Sequence, residues 1–342
     1  MKIPSNYSLK MISTTQMVKK HILITGASSG IGLEAALQLQ RTGHHLTMPC
    51  RNSETAAKLN QRIGGSAEMV QTPICDLADL TSVASCAKEL LITGNPIDTL
   101  VLNAGLQYSG SKQPQWSKQG FELTIAVNHL AHQALLEQLL PLLLLSKNPR
   151  LVITASEVHD PQSPGGKVGA PAGLANLNGL QQGAGALMLD GSNIFNAEKA
   201  YKDSKLCNLL MAQYVAQNLS TNSTPITVIA WSPGLVIPRS NEGFFRYSRK
   251  QNPIGQTIFA FIARDLLRIC ETTEGAGKLL ANLATEKQLE TTKFQYWCNR
   301  VIGLGKLEFK QTDPSPEASC LKLAEKLWQL SAKQINKVQG SQ

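Results

Sequence analysis

The stretch His21-Ile22-Leu23-Ile24-Thr25-Gly26-Ala27-Ser28-Ser29-Gly30-Ile31-Gly32-Leu33-Glu34-Ala35-Ala36-Leu37-Gln38-Leu39 decides the fold. The apolar run His21–Thr25 predicts a buried strand, and the spacing of Leu33, Ala36, Leu37 and Leu39 predicts a helix over Gly32–Thr42. Glycines between the two let the backbone turn tightly and come close to a pyrophosphate. The N-terminus of the following helix then offers unpaired N–H groups and the positive end of a dipole. A glycine-rich loop alone is a weak signal; one with a strand before it and a helix after it is a strong one. Gly26, Ser28, Ser29, Gly30, Ile31 and Gly32 are therefore candidate contacts of a dinucleotide.

Outward from this unit the pattern repeats. Strands are predicted at His45–Met48, Glu68–Ile74, Thr99–Leu102, Leu151–Thr154 and Ile226–Ala230. Helices are predicted at Thr55–Arg62, Leu80–Leu91, Phe121–Leu145 (ended or kinked near Pro141) and Ala197–Leu219. Such alternation predicts an α/β, doubly wound parallel sheet, the Rossmann fold, as a single domain. A surface helix over Pro316–Lys333, packing through Leu321, Leu323, Leu327 and Leu330, makes a C-terminal extension. The expected organisation is a flexible leader over 1–19 and a catalytic domain over 20–335. Two stretches interrupt the rhythm. Residues 157–196, rich in Gly, Pro, Asn and Gln, read as an insertion, and residues 238–272 as a substrate lid ending in an amphipathic helix.

Composition bounds the function. Of 342 residues, 42% are hydrophobic and 17% charged, as in an ordinary globular enzyme. The seven cysteines are scattered without a C-x-x-C pair, which argues against a disulfide framework or zinc site and for a reducing, cytoplasmic location. A net charge of +9 fits anionic ligands or an acidic membrane surface, but no dense basic block with interleaved aromatics points to nucleic acid. The most apolar run, Leu135–Leu145, is broken by Glu137, Gln138 and Pro141 and is too short to span a bilayer. His129, His132 and His159 read as polar helix or loop residues rather than ligands, and no cluster has metal spacing.

Strand 2 ends at Cys50-Arg51-Asn52, where an NAD enzyme typically places a carboxylate for the ribose 2′-hydroxyl. Arg51 suits a 2′-phosphate instead, so the expected cofactor is NADPH/NADP. Tyr201 and Lys205 lie four apart and project from one helix face. A phenol, ordinarily near pKa ~10, is a poor acid–base group at neutral pH, and a neighbouring ammonium is expected to lower that value.

The combination resembles the short-chain dehydrogenase/reductase family over about residues 20–240. Gly26, Gly30 and Gly32 match its T-G-x-x-x-G-x-G loop. Asp76-Leu77 matches the position that contacts adenine, and Asn103-Ala104-Gly105 the N-A-G motif after strand 4. Asn128 matches the asparagine that holds a proton-relay water, and Ser156 lies where the catalytic serine or threonine stands. Tyr201 and Lys205 match Y-x-x-x-K, and Pro233-Gly234 the loop under the nicotinamide. The resemblance thus implies Ser156, Tyr201, Lys205 and Asn128 as the catalytic set, with Tyr201 and Lys205 also among the cofactor contacts.

The 45-residue separation of Ser156 from Tyr201 is longer than in most of the family. The insertion, the segment Lys199–Asn208, Met48–Asn52 and Val127–His132 resemble the light-dependent protochlorophyllide reductases. That branch implies NADPH-dependent, light-driven reduction of a porphyrin-ring double bond, in chlorophyll biosynthesis. One departure is visible: Leu235 follows Pro233-Gly234 where those reductases carry cysteine, and Val236-Ile237-Pro238 replaces their threonine. A light-independent carbonyl or alcohol oxidoreductase of the retinol-dehydrogenase type is the alternative, and a non-catalytic NADPH-binding protein the second. The expected partner is a large apolar small molecule, with peripheral contact to a photosynthetic membrane and self-association left open.

Overall fold

Along β1 (His21–Ile24), Ile22 and Ile24 pack on one face of the sheet and Leu23 on the other. This is the alternation of a strand buried on both sides. Leu100 and Leu102 against Val101 in β4 (Thr99–Leu102), and Leu151 and Ile153 against Val152 in β5 (Arg150–Thr154), repeat it. The structure is a computed structural model describing residues 18–219, 224–237, 244, 246–251 and 253–340. Almost all of the expected leader, and residues 238–243, 245 and 252 of the expected lid, lie outside the described residues.

The remaining strands are β2 (His45–Thr47), β3 (Val70–Gln71), β6 (Thr227–Ser232), β7 (Gln295–Gly303) and β8 (Lys306–Gln311). The eight form one sheet in the order β3-β2-β1-β4-β5-β6-β7-β8, parallel throughout except for the β7–β8 hairpin. β3 is shorter than predicted, because pairing lapses and resumes only as a bridge between Cys50 and Ile74.

Helices cover both faces. One layer holds α1 (Gly30–Arg41), α2 (Ser53–Ile63) and α10 (Thr273–Thr285). The other holds α3 (Leu80–Thr93), α4 (Leu123–Ile125), α5 (Ala131–Leu144), α7 (Ala197–Tyr214) and α11 (Leu321–Gln339). A π-helical turn, Ala126–Leu130, joins α4 to α5. Pro141 does not end α5. It sits on the exposed side, where the carbonyl it leaves without an N–H partner can reach water. The C-terminal helix packs on the core through Leu323, Leu327 and Leu330 as predicted, but not through Leu321. Leu321 is exposed, while Ala324, Leu327, Trp328, Ser331 and Ile335 are buried, with Trp328 stacked on Tyr214 at 4.5 Å.

The insertion contains α6 (Asn178–Gln182) and little other regular structure, yet it is packed. Ala172, Leu174, Leu177, Leu180 and Leu189 join the core beneath α7 and α11. Lid residues form α8 (Arg246–Gln251), α9 (Pro253–Ala260) and a π turn, Phe261–Leu266. Sequence periodicity did not reveal β7, β8 or α10.

Candidate active site

The carboxyl ends of β1, β4, β5 and β6 converge on one edge of the sheet, the edge where doubly wound folds bind ligands. Gly26 turns at φ +72°, a region that disfavours L side chains, and a Cβ added there would stand 2.8 Å from Ala104 Cα. Gly32 is equally confined, since its Cβ would meet the Gly26 carbonyl oxygen at 2.4 Å. Gly30, at φ +58°, differs: an added Cβ would meet nothing within 4 Å. Two glycines therefore serve packing and one leaves open room above the helix start. Ser29 caps α1 without a side-chain hydrogen bond, and among the described residues the first turn of α1 carries no acid. The N–H groups and dipole of that turn are left to a ligand, and these residues fit a pyrophosphate.

At the end of β2, Arg51 is exposed, and Lys58 rather than Arg51 pairs with Glu54, at 2.7 Å. Asp76 is half-buried and accepts from the Ala78 N–H at 3.0 Å, with Leu77 half-buried beside it. Asn103 is tied three ways. Its N–H donates to Thr25 Oγ1 (2.9 Å), its Nδ2 to the Thr25 carbonyl (3.1 Å), and its Oδ1 accepts from Thr154 Oγ1 (3.1 Å). Gly234, at φ +75°, passes so close to β7 that a Cβ would lie 2.6 Å from the Asn299 carbonyl oxygen. Asn299 donates to the Pro233 carbonyl, and the Glu271 N–H donates to the Leu235 carbonyl at 2.9 Å. The loop that begins at Pro233 thus depends on two residues, Glu271 and Asn299, that carried no sequence signal.

Ser156 lies two residues beyond β5 in extended backbone, beside Tyr201 on α7, whose phenol pKa its hydroxyl acts to lower. Phe244, from the lid, sets its ring edge against Tyr201 at 5.3 Å between centroids. Lys205 is buried, donates to the Thr154 carbonyl at 2.9 Å, and places its Nζ 5.7 Å from the Tyr201 ring centroid. Asn128 is also buried. Its Oδ1 accepts from the Leu106 N–H (2.9 Å), and its Nδ2 donates to the Leu106 carbonyl and to Ser204 Oγ, both at 3.0 Å. A Cβ added at Gly105 would stand 3.5 Å from Asn128 Oδ1 and 3.6 Å from Lys205 Nζ, so the two groups share one corner.

The electrostatics correct one expectation. Burial is the largest influence on Tyr201 and pushes its phenol above the ordinary value; the Ser156 hydroxyl acts the other way. Lys205 does not lower it: its ammonium is bound to the Thr154 carbonyl, and burial pushes that ammonium down to about 7. Tyr201 is therefore a protonated acid rather than a preformed phenolate.

Sequence reasoning also passed over the neighbours of Tyr201. Lys202, only 4% exposed, donates to the carbonyls of Gly166 (2.9 Å), Val168 (2.6 Å) and Ala170 (2.9 Å). Lys199 binds Asp203 at 2.6 Å, and Asp203 accepts from the Gly173 N–H at 3.0 Å. The helix that presents Tyr201 and Lys205 thus also grips the insertion. The i, i+4 pairing of Lys199 and Asp203 was the available clue.

Residues 20–169 match the family described as short chain dehydrogenase. The chain is 34% identical over 325 residues to "Protochlorophyllide reductase A, chloroplastic" of Oryza sativa subsp. japonica, covering 93% of this chain and 81% of that one. It is 33% identical to "Protochlorophyllide reductase" of Avena sativa, covering 92% and 99%. Among solved structures, an uncharacterised protein from Mycobacterium paratuberculosis shares the fold with a TM-score of 0.65 and 24% identity, covering 93% of this chain and 94% of that one.

Proposed function

The chain belongs to the short-chain dehydrogenase family, beside the protochlorophyllide reductases, and from that premise we propose that it is an NADPH-dependent reductase acting on a double bond of a large apolar ring pigment of the protochlorophyllide type. One observation carries the reading. Ser156 and Tyr201 stand together beside Lys205 at the edge that holds the glycine turn, with lid residue Phe244 against the Tyr201 ring. Bound NADPH supplies a hydride there.

The chain's own residues do the rest. The glycine turn and the first turn of α1 hold the pyrophosphate, and exposed Arg51 takes the 2′-phosphate, which supports NADPH over NADH. Asp76 and Leu77 flank the adenine, and Asn103, Ala104, Gly105, Pro233 and Gly234 line the path to the nicotinamide. Tyr201, kept neutral by burial, donates its Oη proton to the substrate atom that gains negative charge. Ser156 stabilises the oxygen that proton leaves, and the Lys205 ammonium, sharing with Asn128 the corner at Gly105, is the acid that resupplies it.

Leu235 favours a second reading. Without the thiol of the protochlorophyllide reductases, Ser156 and Tyr201 can serve as two donors to a carbonyl oxygen, as in a light-independent carbonyl or alcohol oxidoreductase of the retinol-dehydrogenase type. Partner and location follow from the lid. Ile254, Ile258, Phe261 and Leu266 are exposed beside Arg264 and Arg268, which supports peripheral contact with an acidic membrane surface from the cytoplasm; self-association would cover the same residues. Among the described residues, no helix is long and apolar enough to cross a membrane.

Protein mixed with NADPH and protochlorophyllide tests the two chemistries. The pigment reading expects a red shift in absorbance on illumination and none in darkness. NADPH oxidation in darkness with aldehydes or ketones, and no pigment shift in light, would replace it with the second reading.

A further inference from the structure

The imidazole of His132, fully buried on α5, lies between the glycine turn and the asparagine corner. Its Nδ1 is 3.1 Å from the Asn128 carbonyl, and its Nε2 is 3.0 Å from Thr25 Oγ1. The donors and acceptors assign the protons. A carbonyl only accepts, so Nδ1 carries the hydrogen and Nε2 is bare. Thr25 Oγ1 has two lone pairs, and they accept from the Asn103 N–H (2.9 Å) and the Ala104 N–H (3.0 Å). The Thr25 hydroxyl proton then has two acceptors within reach, His132 Nε2 at 3.0 Å and the Val101 carbonyl at a longer 3.5 Å, and it points to the nearer. A protonated ring would set an N–H against a hydroxyl with no lone pair left.

Each bond has a consequence for a different part of the site. The Thr25 hydroxyl fastens the start of the glycine turn to the turn after β4, where Gly26 packs on Ala104. The Asn128 carbonyl lies in the π turn that also carries the Asn128 side chain to Leu106 and Ser204. We propose that His132 is a positioning residue that locks the nucleotide turn to the Asn128 corner, its Nε2 orienting the Thr25 hydroxyl and its Nδ1–H holding the Asn128 carbonyl. The inference rests on reading the turn as the dinucleotide site.

Methionine and glutamine match in length, and only glutamine offers an oxygen that can accept from Thr25. NADPH dissociation constants, measured by fluorescence titration of the full chain, should rise about tenfold in His132→Met and stay within about twofold of wild type in His132→Gln, the gap being one lost hydrogen bond. Thr25→Val, which also strips the acceptor from the Asn103 and Ala104 N–H groups, should weaken binding at least as much as His132→Met, and Thr25→Val combined with His132→Met should bind no worse than Thr25→Val alone. Thr25→Ser, which keeps the hydroxyl, should bind like wild type. Equal affinities for the methionine and glutamine variants, or multiplied losses in the double variant, would overturn the inference. Thermal melts confirm that the variants compared are folded. Wild-type protein that bound no NADPH would instead fail the functional reading on which this rests.

Discussion

The glycine turn and the insertion before Tyr201 border the same candidate site and are held by opposite means. In the glycine turn, Gly26 and Gly30 take the left-handed backbone, and the turn is fastened through the Thr25 hydroxyl to two backbone N–H groups just after β4. In the insertion, Ala175 (φ 46°) and Leu177 (φ 56°) take that backbone without being glycine. Its carbonyls at 166, 168 and 170 all converge on the single ammonium of Lys202. A conformation that sequence chemistry favours needs little support; one that it disfavours must be over-determined by its surroundings. The turn is thus the fixed wall of the site, and the insertion is a wall fastened from the catalytic helix.

The difference can be broken from either side. The largest effect is expected at the point both walls serve. Tyr201→Phe removes the proton donor and should lower turnover by roughly 10²–10⁴-fold, with a far smaller change in NADPH affinity in a fluorescence titration. Next, Lys202→Met leaves three insertion carbonyls without their donor. It should cost about 2–4 kcal/mol of stability in chemical denaturation. Under limited proteolysis it should open new cleavage between residues 160 and 175, while NADPH still binds; an unchanged cleavage pattern would remove the anchoring role.

Acid probes the helix that supports the turn. His129 and His132 are fully buried, and burial holds them down to about 3 and about 4. Unfolded, both return to about 6.5, so in the interval the unfolded chain binds more protons than the folded one. Their stabilising effect is complete above about pH 6.5 and declines below it, by about 2 kcal/mol per histidine at pH 5. Thermal melts across that range should show a falling midpoint, and a flat profile would contradict their neutral burial. The smallest effect belongs to exposed Arg51. Arg51→Gln should weaken NADPH about tenfold, the worth of one solvent-screened charge-assisted contact, and leave NADH affinity unchanged.

The same contrast explains what could be read in advance. β1, the glycine turn and α1 were legible to within two residues, because the alternation, the helical spacing and the glycines all describe local backbone. Tyr201 and Lys205 were legible for the same reason. α10 was not: Gly275 and Gly277 lower its helix propensity, yet Gly277 is what lets α10 approach α1, where a Cβ would stand 2.4 Å from Glu34 Cβ. β8 carries a strand's alternation in Leu307 and Phe309, a signal present but short. The Thr25–His132 contact joins residues 107 apart, and the partners of Lys202 are carbonyls, which have no sequence signature at all.

The central claim is hydride transfer from a nicotinamide at this edge to a ring pigment, and isotope transfer tests it most directly. Wild-type protein is illuminated with protochlorophyllide and NADPH carrying deuterium at the transferable nicotinamide position, and the product is examined by mass spectrometry. The account predicts one cofactor deuterium in each reduced pigment molecule and almost no product from Tyr201→Phe. Reduced pigment without the label, or illuminated pigment left unreduced by wild-type protein, would contradict it.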